Sequence, residues 1–133
     1  MTTRPTNIRL GPITYRVITD VDQIREVSAA QDIDPGSEWT AYSDHDALVI
    51  AINGNQPATN QKRDLIHEVL HCCLRYSGVE PNAYARIVAR AKDKHGGYTV
   101  EEFMVAATSA PLLAVLVDNP LFTSWLTTPE DHQ

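Results

Sequence analysis

What the chain lacks narrows it first. It holds two cysteines in 133 residues, and they are adjacent, Cys72 and Cys73. Neither can tie one distant part of the chain to another, so a disulfide framework is excluded and a reducing, intracellular setting is expected. A basic surplus is also missing: 11 Lys and Arg stand against 17 Asp and Glu, a net charge of -6. That balance argues against generic binding to nucleic acid or to anionic membrane surfaces. Long apolar runs are absent too. The longest, Ala47 to Ile52 and Leu112 to Val117, fall far short of the roughly 20 residues that span a bilayer. The opening Met1-Thr2-Thr3-Arg4-Pro5-Thr6 leads into no apolar core of a signal peptide. There is no internal repeat and no low-complexity tract. With 43% hydrophobic and 21% charged residues, the chain reads as one ordinary globular domain, residues 1–133.

Against that plain background one stretch carries chemistry. His67-Glu68-Val69-Leu70-His71 is an HExxH motif. On a helix, residues four apart lie one above the other, so His67 and His71 can present two imidazole nitrogens to one metal ion, with zinc the default. Glu68 projects about 100° further round a helix of 3.6 residues per turn, within reach of a metal-bound water. That is a general-base position.

The flanks support a helix over about 60–77. Leu65, Ile66, Val69, Leu70, Cys73 and Leu74 recur at three and four residues as an apolar stripe. Thr59 or Asn60 is placed to cap the N-terminus, Gly78 suits a left-handed residue beyond the C-terminus, and Pro81 blocks continuation. Upstream, residues 1–7 read as frayed, Ile8 to Leu10 and Ile13 to Thr19 as strands across Gly11-Pro12, and Asp20 as the cap of a short helix. Glu38 to Ser43 and Ala47 to Ile52 form a hairpin around Asp44-His45-Asp46, and the second strand feeds the central helix. His45 and His132 read as solvated turn and tail residues. Downstream, residues 82–94 read as a helix carrying the basic stripe Arg86, Arg90 and Lys94, followed by a Gly96-Gly97 break. An apolar helix then starts near Thr99, is kinked or restarted by Pro111, and ends at Asn119-Pro120 before a short terminal helix. The fold class expected is α+β, a small antiparallel or mixed sheet packed on the HExxH helix and a second apolar helix.

A catalytic zinc site needs three protein ligands and an open position. After His71 the chain runs Cys-Cys-Leu-Arg-Tyr-Ser-Gly-Val, without a third histidine at short spacing, so the metzincin arrangement is excluded. Glu101 and Glu102, at the start of the apolar helix, are the best remaining donors, with Glu102 preferred; Asp93 and His95 are the alternatives. The competing reading of Glu102 is structural, because Thr99-x-x-Glu102 is also a capping box.

The motif, the downstream glutamates and the ending Leu116-Val117-Asp118-Asn119-Pro120 together resemble the zincin metallopeptidases of gluzincin type, and especially short zincin-like proteins encoded by bacteriophages. The resemblance covers about residues 47–126. It implies that His67, His71 and Glu102 bind zinc, that Glu68 is the general base, and that the protein hydrolyses a peptide or protein substrate in the cytosol of a bacterial host. Zinc would lower the pKa of bound water to about 7 and Glu68 would pass its proton to the leaving amine. Tyr84, His95 and Tyr98 are the candidates for stabilising the oxyanion. A rival class is a catalytically silent zinc-binding protein that binds a host protein; a weaker one places the Arg86, Arg90 and Lys94 stripe on DNA.

Overall fold

The computed structural model describes residues 3–30, 41–78 and 97–129. Their elements run β1 (Asn7–Leu10), β2 (Ile13–Ile18), α1 (Val21–Ala30), β3 (Ala41–Asp44), β4 (Val49–Ile52), α2 (Ala58–Tyr76), α3 (Gly97–Asp118) and α4 (Pro120–Thr127). The fold is α+β. The strands form one mixed sheet in the order β1-β2-β4-β3, with β1 and β3 antiparallel to their neighbours and β2 parallel to β4. The expected helix over 82–94, with Arg86, Arg90 and Lys94, lies outside the described residues, as do Tyr84, Asp93, His95 and His132.

Burial explains the arrangement. Ile8, Leu10, Tyr15, Val17, Ile50 and Ile52 cover one face of the sheet, against Leu65, Val69, Cys72 and Cys73 of α2, Val115 of α3, and Phe122 and Trp125 of α4. The other face, with Ile18, Val49 and Ala51, packs on Ile24 of α1. A strand covered on both sides has no polar face, so β4 reads Val-Ile-Ala-Ile without alternation.

Local chemistry sets most boundaries. Asp20 caps α1 through its Oδ1, which accepts from Gln23 N–H at 3.0 Å. Asp44 Oδ1 accepts from the N–H groups of Asp46 and Ala47, both at 2.9 Å, and so closes the β3–β4 turn. Gly78 follows α2 with φ +80°, the left-handed conformation that glycine adopts without a Cβ penalty.

Three expectations are corrected. The chain is held from Arg4 onward: its guanidinium donates to Gln61 Oε1 at 2.6 Å and to Thr19 Oγ1 at 2.8 Å, and Pro5 is buried. Helix α2 starts after Pro57, with no side-chain cap from Thr59 or Asn60. The N-cap residue is Pro57, whose carbonyl accepts from the N–H groups of Asn60 and Gln61 at 3.0 and 3.1 Å. Thr99 lies inside α3, which is already helical at Gly97, and Pro111 sits within that helix without restarting it.

Helix α3 is largely apolar beyond Glu102, and the core uses only part of it. Val115 is fully buried, whereas Leu113 is 63% and Val117 68% exposed, beside exposed Val105 and Leu121.

Candidate metal centre on helix α2

Position on α2 decides what each motif residue can do. The buried stripe of this helix is Gln61, Asp64, Leu65, Glu68, Val69, Cys72 and Cys73. It is rotated from the purely apolar stripe expected, leaving Ile66 39% exposed. The rotation has a polar cause. Gln61 donates to the carbonyls of Gln56 and Gly54 at 2.9 and 3.2 Å, and Asp64 Oδ2 accepts from Gln56 at 2.8 Å. These bonds satisfy the loop between β4 and α2 and turn the polar side chains inward. Glu68 is carried in with them and is 5% exposed.

His67 and His71 lie on the exposed shoulder of the same helix. Their Nε2 atoms are 3.1 Å apart, with ring centroids at 4.8 Å and planes inclined by 70°. Two imidazole nitrogens bound at about 2.0–2.1 Å to a tetrahedral zinc stand about 3.3–3.4 Å apart. The pair therefore fits zinc with only a small opening of the rings. Among the described residues, no side-chain hydrogen bond holds the Glu68 carboxylate.

The other expected donors are not gathered at the pair. Glu102 is exposed on α3, and among the described residues no three His, Cys, Asp or Glu side chains form a group that could hold a metal. Between α2 and α3, Ser77 Oγ donates to the Ala107 carbonyl at 2.6 Å, five residues beyond Glu102. The side chain of Glu101 lies outside the described residues.

One residue near the pair was misread from sequence. His45, expected to be solvated, is half-buried in the β3–β4 turn, and its Nδ1 is 3.0 Å from the Tyr15 hydroxyl. Its rings meet Tyr15 edge to face, at 6.0 Å and 89°. Burial lowers its pKa first, and the positive charge of Arg75 and His71 lowers it further, against Asp44 and Asp46. Tyr15 is itself 2% exposed, and burial beside Cys72 raises its pKa above the ordinary value. No local pattern links positions 15, 45 and 71; the sheet order brings them together. The two thiols are buried, with Cys72 pushed up to about 12 and Cys73 to about 11 by loss of water.

A shallow cleft of about 220 Å³ lies elsewhere, between Thr6 and Asn7 and the Asp118–Phe122 elbow. It shares no residue with the histidine pair. No protein-family model, curated protein or solved structure matches the chain.

Proposed function

We propose that the protein is a zinc-dependent hydrolase, a small metallopeptidase of the gluzincin type found in bacteriophages, acting on a peptide or protein in the cytosol of a bacterial host. The observation that carries this reading is the spacing of the His67 and His71 nitrogens, 3.1 Å, next to a buried glutamate without a hydrogen-bond partner among the described residues. His67 and His71 would hold the ion, and Glu102 is assigned as the third ligand.

Zinc, when bound, supplies a Lewis acid and brings the pKa of a coordinated water to about 7. The protein's own contribution is proton handling and orientation. Glu68, without a competing side-chain hydrogen bond among the described residues, would take a proton and deliver it to the leaving amine. Among the described residues, strand β3 is an edge of the sheet, paired with β4 alone, and α2 packs against it. An extended substrate can add to such an edge through backbone hydrogen bonds.

A second reading is a catalytically silent zinc-binding protein that docks on a host protein, favoured by the exposed Val105, Leu113, Val117 and Leu121. The two readings separate on Glu68→Gln. In a hydrolase that variant keeps one zinc per chain and loses cleavage of fluorescein-labelled casein; undiminished cleavage by the variant would remove Glu68 from the chemistry.

A further inference from the structure

We propose that His45 is an additional catalytic residue, a neutral imidazole whose Nε2–H donates a hydrogen bond to the substrate carbonyl oxygen as negative charge develops on it. This rests on the hydrolase reading above and deepens it by assigning the oxyanion donor that reading requires.

The hydroxyl of Tyr15 is buried among protein groups and has, among the described residues, two polar neighbours, His45 Nδ1 at 3.0 Å and the Cys72 thiol. The phenol has one proton to donate. An imidazole lone pair is a strong acceptor and a thiol sulfur a weak one, so the proton goes to Nδ1. A histidine whose Nδ1 accepts must carry its own proton on Nε2 while neutral. Burial and the nearby positive charge of Arg75 favour the neutral ring.

Position follows from the same contacts. Tyr15 is anchored against Cys72, the residue after His71 and one helical turn from Glu68, whose charge also reaches Cys72. The turn that carries His45 is closed by Asp44 at the end of the edge strand β3. His45 is thus presented from the strand that would receive the substrate, within electrostatic reach of His71. Tyr15 acts as a positioning residue: it holds the ring and selects the tautomer.

The test uses the full chain, loaded with zinc and purified without a histidine tag. Nitrogen-15 NMR of the His45 ring is expected to show an unprotonated Nδ1 and a protonated Nε2, and Tyr15→Phe should mix the two tautomers. His45→Phe keeps a ring of similar shape without a donor. It should retain one zinc per chain, bind acetohydroxamate about 10-fold more weakly, and lose about 10²-fold in kcat on labelled casein with KM changed little. His45→Gln, which restores a donor, should recover part of both losses.

A proton on Nδ1 in the wild type, or hydroxamate binding unchanged in folded His45→Phe, overturns the assignment. Loss of zinc from His45→Phe also overturns it, by making His45 a ligand. If wild type takes up no zinc, the hydrolase reading falls and this one with it. If zinc binds and Glu68→Gln is inactive while His45→Phe is not impaired, the His45 assignment falls alone.

Discussion

The hydroxyl of Ser77, the C-cap of α2, donates to the carbonyl of Ala107 in the middle of α3 at 2.6 Å. That carbonyl is available because Pro111, four residues on, has no N–H to give it. One helix end thus fills a vacancy that a proline makes in another. Ser77→Ala is expected to lower stability by about 1 kcal/mol, a typical net hydrogen bond. In a Pro111→Ala background, where an N–H is restored, urea denaturation should show a smaller cost for the same change. Equal costs in both backgrounds would separate Ser77 from the proline.

Asn119 closes the other end of the fold. Its carboxamide accepts from Arg9 N–H and donates to Arg9 C=O, both at 2.7 Å, and it also donates to the Val115 carbonyl at 2.8 Å. It pairs with edge strand β1 as another strand would. Losing three bonds at a buried position, Asn119→Ala should cost roughly 2–4 kcal/mol, read from the urea midpoint. Asn119→Asp keeps the acceptor alone and should also destabilise.

Gly11 makes the β1–β2 turn with φ +59°, and a Cβ there would stand 2.7 Å from the Tyr76 hydroxyl oxygen. Gly11→Ala should lose about 1–2 kcal/mol from the left-handed backbone alone, and more from the clash. Adding Tyr76→Phe removes the closest atom and should return part of that loss. No recovery would mean that Tyr76 swings away freely.

Metal content distinguishes the two adjacent glutamates. Mass spectrometry of the native protein is expected to show one zinc per chain, lost in Glu102→Ala and kept in Glu101→Ala. Zinc retained in Glu102→Ala would remove Glu102 from the shell and return the question to Glu101, Asp93 and His95.

The thiols give a pH dependence. Both folded-state values are raised, to about 12 for Cys72 and about 11 for Cys73, so the unfolded chain releases these protons first. Their contribution is complete below the unfolded value of about 8.5 and is lost as pH rises from there through 11 to 12. Metal-free protein should therefore lose thermal stability steadily above pH 9. At pH 8 both thiols should react with Ellman's reagent only on unfolding; rapid labelling of native protein would contradict their burial.

Much of the fold was legible because the signals are local. The capping aspartate Asp20, the turn at Gly11, the αL residue Gly78 and the hairpin around Asp44 act over two to four residues, and each stands where its chemistry requires. Glu68 was legible in type but not in depth. Its burial comes from Gln61 and Asp64 bonding a loop and turning α2, and an apolar-periodicity argument assigns such residues to the surface.

His45 was illegible for a different reason. Its partner Tyr15 is 30 residues away, and only the parallel pairing of β2 with β4, Arg16 opposite Val49, sets the turn after β3 beside that phenol. A histidine between two aspartates looks solvated until that pairing is known. The sequence by itself determined the two imidazoles, because four residues on one helix is a distance that backbone geometry guarantees. Tertiary structure alone decided which neighbours face them, because the rotation of α2 and the order of the strands follow from burying both sheet faces at once.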